Sequence, residues 1–106
     1  MSDFAVPQSP SIEALLDLAA GVDFLIRSRH QHQAATAADQ LARYLLFHYR
    51  ELQTSRPEMS AEETDMVARR VIIALVEAKS LAASARAGRA PHITRLRALI
   101  QELHHA

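Results

Sequence analysis

Six histidines are the first residues whose chemistry has to be considered, since imidazole binds metals and exchanges protons near neutral pH. Their spacing rarely suits a shared ion. His30 and His32 are two positions apart, which puts them on opposed sides of a helix, while His104 and His105 lie next to the last residue. The chain has no cysteine and no His-x3-His pair of the kind that binds zinc from one helix. We therefore expect no metal and no cofactor, with a histidine-based metal-binding protein as an alternative.

His48 is the histidine with the best placement for acid/base chemistry. It borders an apolar stripe between Leu45 and Leu52, where a partly buried imidazole needs a hydrogen-bond partner. Tyr44 or Glu51, about one helical turn away, could supply that partner. The same placement also fits a packed structural histidine, and both interpretations stay open.

Arg43 precedes His48 in the sequence RYLLFH. This order is similar to the Arg-x4-to-6-His signature of the HEPN family of small helical ribonucleases. The resemblance implies a ribonuclease in which Arg43 and His48 act on RNA phosphate, usually across a dimer interface, and the adjacent Tyr49 is a further candidate for that site. Two observations weigh against it: five positions along a straight helix separate the two side chains by about 140°, and Asp39 stands one turn before Arg43 as an ion-pair partner. The ribonuclease is kept as an alternative.

Composition excludes several classes of function. The 106 residues contain 12 Lys or Arg and 12 Asp or Glu, so no net charge attracts nucleic acid or an acidic membrane over long range. Two glycines are too few for a phosphate-cradling loop or a dinucleotide fingerprint. No apolar run approaches the roughly 20 residues of a membrane-spanning helix, and the first ten residues do not resemble a secretory signal. We expect a cytoplasmic protein, and the arginine and alanine bias favours a bacterial source.

Apolar residues recur at three- and four-residue steps along most of the chain, which predicts an all-α fold. The stripes predict four helices, over 10–28, 34–54, 61–87 and 91–104, of which the last is short. Short connections between long amphipathic helices favour an up-down antiparallel four-helix bundle. Residues 9–106 would then form one domain, preceded by a flexible arm over 1–8.

The predicted helix starts depend on capping signals. Ser9 is the predicted cap of the first helix, and Thr36 with Asp39 resembles a capping box for the second. Ser60 with Glu63 is a full capping box for the third helix.

Helix ends and interiors give further predictions. Gly88 is placed for a left-handed helix end, Pro91 opens the fourth helix, and Gly21 suggests a close backbone approach. The unbroken apolar run Val71–Val76 predicts the most buried segment. Acid-before-base pairs at i,i+4 support the first three helices. They are Asp23–Arg27, Asp39–Arg43 and Asp65–Arg69.

Several large apolar side chains lie off the main stripes, and a chain of this length has a limited core in which to bury them. We expect the protein to form a homodimer or to bind a partner helix in an apolar groove. The residues predicted to bind are Phe24, Tyr44, Leu46 and Phe47. The predicted function is a non-enzymatic interaction module: an adaptor, a regulator or an export-type chaperone.

Overall fold

Four helices follow one another along the chain in the computed structural model, which describes residues 11–54 and 60–103. They are α1 (Ile12–Arg27), α2 (Gln31–Thr54), α3 (Ala61–Arg86) and α4 (Thr94–Glu102). Each helix packs against the next, and α4 also packs against α1. The predicted up-down antiparallel four-helix bundle with a short last helix is confirmed, and the described residues contain no strand.

The start of α1 differs from the prediction by two residues. The Ser11 Oγ accepts a hydrogen bond from the backbone N–H of Ala14 at 3.1 Å, so Ser11 is the N-cap. Ser11 stands directly before Ile12, the first residue of α1. Ser9 and the predicted arm over 1–8 lie outside the described residues.

A three-residue turn, 28–30, joins α1 to α2. The backbone N–H of His30 donates to the Leu25 carbonyl at 2.8 Å, and that of Arg29 donates to the Ile26 carbonyl at 3.1 Å. These two hydrogen bonds form a Schellman motif, which needs a residue in the left-handed conformation just after the helix end. Arg29 supplies it with φ 65°. The turn closes early because of this arginine, which the sequence does not announce as a helix end.

As a result α2 begins at Gln31, three residues before the predicted start. The capping box predicted at Thr36 and Asp39 is wrong, because both residues lie inside the helix. The Thr36 hydroxyl donates to the His32 carbonyl one turn earlier at 3.1 Å. Asp39 is directed towards α3 and does not cap its own helix.

The ends of α3 agree with the sequence signals. The Ser60 Oγ accepts from the backbone N–H of Glu63 at 3.1 Å, and the Glu63 carboxylate accepts from the Ser60 N–H at 2.9 Å. This reciprocal pair is the predicted capping box. At the other end Gly88 has φ 82°, and the Arg89 N–H donates to the Ser84 carbonyl at 3.0 Å. The glycine thus ends α3 as predicted.

The fourth helix begins at Thr94, three residues after the predicted start at Pro91. Ile93 occupies the N-cap position and is buried in the core, although it makes no side-chain capping bond. Ile93 has φ −101° and ψ 5°, outside the α-helical region, so the first helical turn follows it and Pro91 lies before α4.

The core lies along the seams between the helices and is built mostly from alanine and leucine. Its largest fully buried side chains are Leu15, Leu41, Leu45, Leu96, Ile100, Val22 and Val71. Many small alanines let the helix axes approach closely. Gly21 does not mark such an approach: it is exposed, and a Cβ added there would meet nothing within 4 Å.

The prediction that Val71–Val76 is the most buried segment is wrong. Val71 and Ala74 are fully buried, but Ile72, Ile73 and Val76 are exposed. A helix turns 100° per residue, so a run of six residues covers the whole circumference and only part of it can face the core. The α3 helix therefore carries apolar side chains on two opposite sides.

Candidate functional site

The outer face of α2 carries two large apolar side chains between two arginines. Leu46 and Phe47 stand between Arg43 and Arg50, at the i, i+3, i+4 and i+7 positions that share one helix face. With Glu51 these residues line a surface groove of about 530 Å³. We call it the α2 groove. Its composition, an apolar floor with a cation at either end and the Glu51 carboxylate next to Arg50, is suited to another amphipathic segment.

Arg43 is available on the α2 groove because Asp39, its expected partner, is engaged elsewhere. Its carboxylate accepts a hydrogen bond from the Arg86 guanidinium of α3, and its Oδ1 lies 3.7 Å from Lys79 Nζ. The predicted pair of Asp39 with Arg43 is therefore replaced by contacts between helices. Within residues 11–54 and 60–103, neither Arg43 nor Arg50 forms an ion pair.

The electrostatics of Asp39 fit this assignment. The hydrogen bond from Arg86 lowers the pKa of Asp39, and the nearby charges of Arg86 and Lys79 act in the same direction against the opposing effect of burial. The Oδ1 atom is buried without a hydrogen bond, because 3.7 Å to Lys79 is an ion-pair distance only. Asp39 thus holds α2 to α3 beside the α2 groove.

The other two predicted partner-binding residues occupy different places. Tyr44 lies one turn before Phe47 on the exposed side of α2, where its hydroxyl accepts from Gln40 Nε2 at 2.9 Å. Phe24 is on α1, is 66% exposed and does not line the α2 groove. The structure brings Leu46 and Phe47 together, with Tyr44 beside them, and leaves Phe24 apart.

The residues of the ribonuclease alternative point in different directions from one uninterrupted helix. Arg43 is exposed on the α2 groove, and His48 is half-buried on another face about 140° away. Tyr49 packs against the core and lines a cavity shared with Asp65 and Ile72 of α3. A single chain does not bring these three side chains to one point.

Two surfaces were not predicted as sites from the sequence. One is the outer side of α3, with Met66, Ile72, Ile73 and Val76 exposed. A helical wheel of α3 would have found it, because these positions lie opposite the core-facing valines and alanines.

The other is a cavity between the end of α1 and the start of α4, lined in part by Arg27, Arg29 and His92. Arg27 is neutralised there by Asp23, whose Oδ2 lies 2.9 Å from Arg27 Nε. This leaves the exposed Arg29 and His92 on separate segments of the chain.

Comparisons of this chain with protein families, with curated proteins and with solved structures find no match. In the part of the chain that the structure describes, no cluster of three or more His, Cys, Asp or Glu could hold a metal ion. No helix there combines the length and apolar character needed to cross a bilayer.

Proposed function

We propose that the protein is a small helical protein–protein interaction module, an adaptor, regulator or export-type chaperone of the bacterial cytoplasm. Through its apolar surface it binds a partner helix or a second copy of itself. The observation that carries this proposal is the α2 groove, where Leu46 and Phe47 lie between Arg43 and Arg50. Neither arginine forms an ion pair within the described part of the chain. Apolar side chains exposed together in a polar rim are typical of interaction sites.

The groove specifies the chemistry of its partner. Arg43 and Arg50 are two helical turns apart, about 10.5 Å along the axis. A partner helix that inserts apolar side chains between Leu46 and Phe47 would meet both guanidinium groups if it carried acidic residues at the same two-turn spacing. The proposed partner is therefore an acidic amphipathic helix.

A pair of synthetic peptides tests this proposal. The first is a helical peptide with leucines at i, i+3, i+4 and i+7 and glutamates flanking them; the second has lysine in place of each glutamate. Fluorescence anisotropy should show binding of the glutamate peptide only. Replacing Leu46 and Phe47 by alanine should weaken binding about tenfold or more, because large apolar anchors dominate such interfaces.

The control variant is Arg95→Ala, which removes an exposed cation on α4 outside the α2 groove and should leave binding unchanged. Circular dichroism should show equal helicity in all variants. Equal binding of both peptides, or binding that survives the loss of Leu46 and Phe47, would contradict the proposal.

A further inference from the structure

Two neighbouring cavities between the end of α1 and the start of α4 form one continuous cleft. Their volumes are about 670 and 240 Å³, and both are lined by Asp23, Arg27 and His92. The larger cavity also reaches Arg29, and the smaller one extends along α4 to Arg97. We call this surface the α1–α4 cleft. It shares no lining residue with the α2 groove, so an inference drawn from it goes beyond the proposed function.

The α1–α4 cleft is positively charged, although the formal net charge of the chain is zero. Its arginines come from three segments: Arg27 from α1, Arg29 from the turn that follows, and Arg97 from α4. Among the described residues, Asp23 is the only carboxylate that lines the cleft. Neither Arg29 nor Arg97 forms an ion pair within residues 11–54 and 60–103. Two guanidinium groups of the cleft therefore have no counter-charge there.

Arg27 keeps most of its hydrogen-bond donors in spite of its ion pair. Its Nε donates to the Asp23 Oδ2 at 2.9 Å. The Nη atoms of the guanidinium carry further N–H donors, which stay available to another acceptor. Asp23 thus holds Arg27 in place and leaves part of its guanidinium free. Polar side chains of His92, Thr94 and Gln101 complete the lining.

The walls of the α1–α4 cleft are held by contacts that do not use its arginine side chains. Gln31 Nε2 donates to the Gly88 carbonyl at 3.1 Å, which ties the start of α2 to the end of α3. The backbone N–H of Arg29 donates to the Ile26 carbonyl at 3.1 Å. Ile26 and Ile93 are buried and anchor the two walls in the core. A cleft held in this way is largely formed before a ligand arrives.

The number and placement of the arginines indicate which anion the cleft takes. A carboxylate is satisfied by a single arginine fork, whereas a phosphate group carries about two negative charges and three acceptor oxygens. Arg29 and Arg97 lie in different cavities of the cleft, and Arg27 lines both. Two linked phosphate groups therefore meet more of these donors than a single phosphate does. We propose that the α1–α4 cleft binds a diphosphate group and recognises it through the phosphate oxygens alone.

Calorimetric titration of the full-length protein with inorganic pyrophosphate tests this proposal. An ionic strength of about 0.15 M screens long-range charge effects. We expect saturable binding of one pyrophosphate per chain, about tenfold or more tighter than binding of orthophosphate or of succinate, which carries two carboxylates. Binding that does not saturate, or succinate binding as tight as that of pyrophosphate, would overturn the proposal.

Two variants test the position of the site. Arg29→Gly and Arg97→Ala should each weaken pyrophosphate binding about tenfold, because each removes a set of charge-assisted donors. Arg29→Gly also relieves the left-handed φ of 65°, so a loss of stability cannot explain its weaker binding.

The matched control is Arg95→Ala, which removes a cation from the same helix as Arg97. Arg95 Nε lies 3.4 Å from Glu77 Oε1 of α3, outside the α1–α4 cleft. The control should keep the dissociation constant within about threefold. Equal weakening in Arg95→Ala, or unchanged binding in Arg29→Gly and Arg97→Ala, would overturn the site.

A titration with ADP separates a diphosphate on a nucleoside from free pyrophosphate. No Phe, Tyr or Trp among the described residues lines the cleft, so the base finds no ring to stack on. ADP should therefore bind within about threefold of pyrophosphate. ADP binding about tenfold tighter than pyrophosphate would contradict recognition through the phosphates alone.

Discussion

Asp39 of α2 pairs with Arg86 of α3, 47 positions away along the chain, and not with Arg43 one turn away on its own helix. This contact joins the two longest helices. A double-mutant cycle should therefore show coupling between Asp39→Ala and Arg86→Ala of about 0.5–1 kcal/mol in the free energy of unfolding, the range of partly exposed ion pairs. Urea denaturation followed by circular dichroism measures it.

The matched control is the cycle of Asp39→Ala with Arg43→Ala, which has the same charges at i,i+4 spacing. It should show no measurable coupling. A larger coupling to Arg43 than to Arg86 would contradict the assignment and would also remove Arg43 from the α2 groove.

The same contact makes stability depend on pH. Hydrogen bonding to Arg86 lowers the pKa of Asp39 in the folded state. The unfolded chain then binds the proton more tightly, so this stabilisation is present above the unfolded value, about 3.9, and is lost as pH falls through the folded pKa. Wild type should be more stable than Asp39→Asn at pH 7, and the difference should disappear towards pH 2. Urea midpoints at both pH values test this, and a constant difference would contradict it.

Gly21 lies in the middle of α1, exposed, with open space where a Cβ would stand. Gly21→Ala should stabilise the protein by about 0.5–1 kcal/mol, because alanine loses less backbone entropy in a helix. Thermal unfolding should show a midpoint higher by a few degrees, about 4–8 °C for each kcal/mol in a domain of this size. An unchanged or lower midpoint would contradict this expectation.

Arg29 presents the opposite case, since it has a side chain where glycine is favoured. Its φ of 65° costs roughly 1 kcal/mol for a residue with a Cβ, so Arg29→Gly should raise the unfolding midpoint. Gly88→Ala is the mirror-image control: φ is 82° and no neighbour obstructs the added methyl, so the backbone alone should make it destabilising by about 1 kcal/mol. If both changes moved stability in the same direction, the turn assignments would be wrong.

Leu45 and Leu46 are adjacent on α2, but one lies in the core and the other on the surface. Leu45 is fully buried, whereas Leu46 is 36% exposed on the α2 groove. Leu45→Ala should cost about 2–5 kcal/mol and Leu46→Ala less than about 1 kcal/mol, because only the first leaves a cavity. Equal losses in urea denaturation would place Leu46 in the core and remove it from the proposed binding site.

The fold could be predicted where local chemistry decides it. Ser60 and Glu63 satisfy the first turn of α3 with their own side chains, and Gly88 ends it, so those boundaries follow from the sequence. The α1–α2 boundary did not follow, because it depends on Arg29 adopting a left-handed conformation, which is uncommon for a residue with a side chain.

The candidate site could be predicted only in part, because one of its features depends on a contact between helices. Leu46 and Phe47 lie off the core stripe of α2, and helical periodicity alone identifies them. The freedom of Arg43 could not be read from the sequence, since it requires Asp39 to turn towards Arg86 on another helix. The exposed apolar side of α3 does not follow from its unbroken apolar run, because such a run predicts burial until each residue is assigned to a side of the helix.

Binding between the glutamate peptide and the α2 groove is the most direct test of the interaction-module account. We predict saturable binding that weakens with rising salt and is lost in the variant lacking Leu46 and Phe47, while that variant keeps its helicity. Binding of neither peptide, at concentrations where sedimentation shows only single chains, would contradict the account.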